Sequence, residues 1–210
     1  STLRTDDVDI EADQTLRSSV APAQPAGAVA ADGAFAPGDG AQEKPAPGDV
    51  VSRIRQALAT GDVDEALAMV KKNAAGHGKD ASFLEAAGDT YLRAGLDAEA
   101  VEAYLAAAAR SGGKDAEGAL LDAARVSLER RKDLGGASDI LALYWSRFPH
   151  GFFEQEASFL HARLLVKQKK HADARARLES LLAMAPEGYL STQAHLLLGS
   201  ILETYMSDCA

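Results

Sequence analysis

From Asp49 onward, apolar residues recur every three to four positions in segments of helical length, and short polar turns separate them. That period marks amphipathic helices. The segments come in pairs. The first pair reads DVVSRIRQALATGDVDEALAMVKKNAAGHG (49–78) and the second ASFLEAAGDTYLRAGLDAEAVEAYLAAAARSGG (81–113). A third spans 116–151, a fourth 152–188, and a last single segment, STQAHLLLGSILETYM, covers 191–206. Ala66, Ala100, Ala137 and Ala174 hold matching places in the second helix of each pair, at spacings of 34, 37 and 37 residues. A fixed period of this size with two helices per unit predicts an all-α solenoid.

The turns carry their own signals. Gly61 and Gly95 close the first helices of units one and two, because glycine alone enters the left-handed conformation without cost. Asp62 with Glu65 forms a capping-box pattern, and Asp97 stands where it could cap the next helix. Unit three is expected to turn around Gly135 and Gly136. Pro149 and Pro186 stop the second helices of units three and four at matching places. Asn73 stands in unit one where a small residue is expected. In unit two, Gly88 and Tyr91 on the first helix and Ala100, Tyr104 and Ala107 on the second form a small–large–small set. A small residue lets two helix backbones approach, and an aromatic fills the gap one turn away.

These positions resemble those of tetratricopeptide repeats, and the resemblance runs over residues 49–206. It implies an array of about four and a half helix pairs. One extended concave surface, lined by the first helices, would bind a segment or helix of a partner protein. The RFPHG and MAPEG joints are similar to those of bacterial cell-envelope repeat proteins. These include assembly lipoproteins of the BamD kind and the repeat tails of FecR-type sigma-factor regulators. That second resemblance implies a cell-envelope or periplasmic setting rather than a cytoplasmic one, within a larger complex. It also implies an alternative role, as the sensing or docking end of an envelope regulator. Some tetratricopeptide proteins grip a chaperone carboxylate with Lys, Asn and Arg on adjacent first helices. Here those faces hold Arg55, Glu85, Asp89, Arg93, Asp122, Glu129, Arg163 and Lys167, and the matching set is missing.

The rest of the chain differs in kind. Five of the seven prolines lie between Pro22 and Pro47. The Ala/Pro/Gly-rich composition of 1–48, without periodicity, predicts a disordered arm or linker ahead of a repeat domain at 49–210. The acidic start TDDVDIEAD reads as a solvated tail, a short strand of a preceding domain or a binding peptide. The chain begins at Ser1 without a hydrophobic leader, as expected of a mature form, a recombinant form or a piece of a longer protein. The net charge of −9 repels phosphate backbones and anionic lipid, so neither nucleic acid nor a membrane surface is an expected partner. No apolar run reaches the length of a membrane span. The single thiol, Cys209, can form neither an internal disulfide nor a multi-cysteine metal site.

His77, His150, His161, His171 and His195 include no pair at i, i+4, so no helical metal motif is expected. His161 and His195 fall on neighbouring first helices and could approach one another. SGGKD (111–115) reads as an inter-repeat turn, and the basic runs RRK (130–132) and KQKK (167–170) as helix ends. Trp145, Tyr144, Phe148, Phe152 and Phe153 are expected to wedge units three and four together, the alternative being a partly exposed aromatic anchor for a partner peptide. No catalytic constellation and no cofactor motif is present, which predicts a non-enzymatic adaptor for protein partners. On its concave face, Glu85, Asp89, Asp122 and Glu129 form an acidic N-terminal part that Arg55 and Arg93 offset only in part. Arg163, Lys167, Phe159 and Leu196 form a basic and apolar C-terminal part. Phe159 is the expected apolar anchor and Arg163 the expected carboxylate ligand.

Overall fold

The computed structural model describes residues 47–208, so the expectations for the N-terminal arm, the acidic start and Cys209 lie outside the described residues. Among the described residues there are nine helices and no strand. They are α1 (Pro47–Thr60), α2 (Val63–His77), α3 (Ala81–Arg93), α4 (Asp97–Arg110), α5 (Gly113–Glu129), α6 (Leu134–Arg147), α7 (Glu154–Lys167), α8 (His171–Met184) and α9 (Ser191–Asp208). Consecutive helices pack as hairpins, α1 with α2 through α7 with α8, and each hairpin stacks on the next. First helices of neighbouring units also touch, α1 on α3 and α5 on α7, whereas no two second helices pack to that extent. The stack is therefore tighter on its first-helix side.

The period read from the alanines is the period of the core. Ala66, Ala100, Ala137 and Ala174 are all fully buried. Four residues on from each stands a large side chain, Val70, Tyr104, Leu141 or Leu178, at most 1% exposed. The small residue lets the hairpin close and the large one fills the space beneath the opposing helix. Gly88 shows how close that approach is. A Cβ there would lie 2.7 Å from the ring of Tyr104. The Tyr104 hydroxyl, at the far end of the ring, donates to Asp89 Oδ1 at 2.6 Å.

The hairpin turns follow one design with one exception. In units one, two and four, the backbone N–H after the left-handed residue bonds back to the carbonyl five residues earlier. These bonds are Asp62 to Ala57, Leu96 to Tyr91 and Lys170 to Leu165, each at 2.8 Å. This is the Schellman closure of a helix C-terminus. Its left-handed residues are Gly61, Gly95 and Lys169. Unit three has one residue more, with Asp133 N–H reaching back to Ser127, and its left-handed residue is Lys132. Each left-handed residue precedes the buried alanine by five positions.

Two local expectations are corrected here. Gly135 and Gly136 are not the turn of unit three but the first turn of α6, because Asp133 Oδ1 accepts from Gly136 N–H at 2.8 Å and starts the helix there. Asp97 does not cap α4. It lies inside the helix, after Leu96, and pairs with Arg130 at 3.3 Å. The other signals hold: Asp62 accepts from Glu65 N–H at 3.0 Å, and α6 and α8 end two residues before Pro149 and Pro186.

Units three and four meet through a buried carboxylate. Glu117 on α5 is 5% exposed and accepts from the Tyr144 hydroxyl at 3.0 Å and from Phe153 N–H at 3.2 Å. Gly151 leaves room for it, since a Cβ there would collide with Glu117 Oε2. Tyr144 is fully buried, with Trp145 edge-on at 5.2 Å and Phe148 tilted at 5.9 Å. Phe153 packs on the same core, but Phe152 points outward and lies under the Lys114 ammonium at 4.0 Å. Four of the five aromatics therefore wedge the joint, as expected.

Candidate functional site

The first helices present side chains that the hairpin cores do not use. Glu85 on α3, Asp122 on α5, Phe159 on α7 and Leu196 on α9 follow one another in steps of 37 residues. Along that line the character changes from acidic to apolar. Leu196 keeps 70% of its surface open to solvent. Phe159 is half-buried and packs on the core formed by α7, α8 and α9.

The acidic end is internally coupled. Burial holds the Glu85 carboxyl above the usual carboxylate range. Arg55 pulls it down, while Asp89, Asp122 and Asp115 push it further up. Arg55 on α1 reaches Glu85 at 3.5 Å with both side chains about half open, so the contact is a screened surface pair. Glu85 and Asp115 line a small notch between α3 and α5 with Ser82 and Ser111. Arg93 is exposed but tied to the neighbouring unit. Its Nη1 donates to the carbonyl of Leu58 at 2.8 Å and closes the end of α1. Arg147 repeats the device one unit on, donating to the Ala108 carbonyl at 3.2 Å.

At the other end, Arg163 pairs with Glu129 on α5 at 2.5 Å, and the pair ties adjacent first helices. Lys167, one turn further along α7, is exposed. Two residues here had not been singled out from sequence. The Tyr189 hydroxyl bonds to Glu156 on α7, and burial together with that bond raises its pKa. The Tyr189 side chain remains 61% exposed and stands beside Phe159's helix. Nothing in the local pattern of the MAPEGYL joint marks Tyr189, since its partner lies more than thirty residues earlier in the chain.

The structure therefore brings Glu85 and Asp89 together with Asp115 and Asp122, and sets Phe159, Arg163 and Lys167 on one helix with Leu196 on the next. His161 feels the charges of Arg177, Lys170 and Asp173 of the α8 region, and burial first, then the two cations, lowers its pKa. Among the described residues no group of three His, Cys, Asp or Glu side chains could hold a metal ion, and no helix is long and apolar enough to cross a membrane.

Known structures share this architecture. The crystal structure of MamA protein superposes with a TM-score of 0.55 at 16% identity, over 76% of this chain and 90% of that one. The MamA RS-1 ArsTM double mutant superposes at 0.54 with 17% identity, over 78% and 98%. At these identities the likeness is one of fold. No curated protein matches the sequence. The family profile of the tetratricopeptide repeat matches residues 52–116 and 159–204, more than half of the chain. Units one, two and four and the α9 segment thus carry the family pattern on fully buried alanines and glycine-type turns, and the chain belongs to the tetratricopeptide repeat family.

Proposed function

We propose that this protein is a non-enzymatic adaptor that binds a segment of a partner protein along its first-helix face. The observation that carries the reading is the change of character along that face, from Glu85 and Asp122 to Phe159 and Leu196. A bound segment would rest apolar side chains on Phe159 and Leu196. An acidic residue of the segment would meet Lys167, with basic residues over Glu85, Asp89 and Asp122. Because Glu129 already holds Arg163, Lys167 is the better first contact for a partner carboxylate, and Arg163 positions the face. Apolar anchors give affinity at such surfaces and charges set register and direction.

We further place the adaptor in the bacterial cell envelope, on the likeness of its RFPHG and MAPEG joints to envelope repeat proteins. The test is capture of partners from an extract of the source cells. Phe159→Ala with Lys167→Ala should weaken capture at least about tenfold, as loss of an interface anchor does, with the helical circular dichroism unchanged. Capture of every partner at wild-type strength by the folded double variant would exclude this face.

A further inference from the structure

The turns inside the hairpins follow one another along one edge of the stack, where Arg130 of unit three reaches Asp97 beside the turn of unit two at 3.3 Å. Along that edge the charge reverses. Units one and two expose Asp62, Asp64, Glu65 and Glu99 around their turns. Units three and four carry Arg130, Arg131 and Lys132, then Lys169 and Lys170. The two arginines are paired, Arg130 with Asp97 and Arg131 with Asp133. Lys132, Lys169 and Lys170 are exposed, and among the described residues no carboxylate pairs with them.

The backbone singles out two of these lysines. Lys132 and Lys169 are the left-handed residues of their turns, with φ of 56° and 60°. Gly61 and Gly95 fill that place in units one and two. Glycine takes the conformation freely, and a residue with a side chain does so against its preference. The helix dipole does not account for the lysines. Helix α3 meets its dipole with Arg93 in the last turn and still turns on glycine, and α7 already has Lys167 in its last turn. Residues held in an unfavourable backbone region at equivalent places point to a use for their side chains. We propose that the turn edge of units three and four docks a short acidic segment of a partner protein, whose carboxylates are received by Lys132, Lys169 and Lys170.

Neighbouring first helices pack about 8–10 Å apart, which an extended chain spans in about three residues. Acidic side chains at that spacing would meet Lys132 on one turn and Lys169 with Lys170 on the next. A long polyanion fits this edge less well. Nucleic acid or an anionic membrane would run on over Asp62, Asp64, Glu65 and Glu99, which repel it. A short segment stops before them. The proposal uses none of Phe159, Lys167 and Leu196, and it stands apart from the first-helix reading.

The test is fluorescence anisotropy of a labelled peptide with glutamate at every third position and glycine and serine between, titrated with the full chain at low salt. Saturable binding is expected, and it should weaken as salt rises. Lys132→Gly with Lys169→Gly should weaken binding about three- to tenfold, as loss of two exposed ion pairs does, although the same variant unfolds at a higher urea concentration. Loss of binding with gain of stability separates a docking role from damage to the fold. Lys132→Arg with Lys169→Arg should keep the affinity. Lys79→Ala, which removes an exposed charge at the joint of units one and two, should not alter it. Absence of binding into the millimolar range, or a glycine variant that binds like the wild type, would overturn the proposal. So would tighter capture of a single-stranded oligonucleotide or of phosphatidylserine vesicles through the same lysines, which would give the edge to a polyanion or a membrane.

Discussion

Gly88 and Gly199 hold the same place in helices α3 and α9, so the same substitution at each isolates one term of the packing. Alanine in a helix is favoured over glycine by about 1 kcal/mol at either site. At Gly199 that gain stands alone, because the new methyl would meet nothing within 4 Å. At Gly88 the methyl would lie 2.7 Å from two ring carbons of Tyr104 and 3.0 Å from a third. The ring cannot swing aside easily, since it is fully buried and its hydroxyl is tied to Asp89. Overpacking of this kind costs about 1–3 kcal/mol. Gly88→Ala should therefore range from neutral to about 2 kcal/mol destabilising, and Gly199→Ala should stabilise α9 by about 1 kcal/mol. The propensity gain is common to both, so their difference is the overpacking cost itself. For a helical body of this size, that corresponds to about 2–4 °C in Tm per kcal/mol. Thermal melts should be paired with amide exchange in α9, because an end helix of a repeat array can open before the rest. Equal shifts for the two variants would refute the close α3–α4 crossing.

The left-handed turn residues give a second test. Lys132 and Lys169 are exposed with φ of 56° and 60°, where units one and two carry glycine. Lys132→Gly and Lys169→Gly should each raise stability by about 0.5–1 kcal/mol in urea melts, the strain relieved exceeding the added freedom of the unfolded chain. A loss on either substitution would deny the strain. The third test is pH. His161 has a folded pKa below its unfolded one, so the unfolded chain takes up the proton first, and stability falls as pH drops from about 6.5 through the folded value. His161→Gln should flatten the pH dependence of Tm in that window and leave the neutral side unchanged. An unaltered slope would show that His161 is not the group responsible.

Much of the fold was legible because it rests on local rules. The alanine period located the four buried crossings, since only a small residue fits where helices of one hairpin meet. Gly61 and Gly95 marked two turns because their conformation excludes most side chains. The turn of unit three was misplaced for the same reason in reverse. Gly135 and Gly136 offered the usual signal, but Lys132 took the left-handed position, and the Asp133 carboxylate then drew the glycines into α6. A lysine in that conformation leaves no trace in a pattern read by residue type. Asp97 misled similarly. Its side chain suits a cap, yet an arginine one unit away claimed it.

The face was legible in its charges and not in their partners. Acidic residues on α3 and α5 and basic ones on α7 follow from helical spacing alone. Which charges remain available depends on contacts across units that no spacing encodes. Arg93 holds the place in α3 that Lys167 holds in α7, and Arg163 lies one turn before Lys167. In the structure Arg93 closes α1 through the Leu58 carbonyl and Arg163 ties α7 to α5 through Glu129. An array has to spend some face cations on holding its units in register, because each unit touches only its neighbours. The cations left for a partner lie where such a tie is absent, and that argument favours Lys167 over either arginine. On the proposed reading, the apolar anchors would matter more than the charges. Phe159 packs on the α7–α8–α9 core, so on the proposed reading a partner segment would meet a fixed anchor there rather than a mobile side chain.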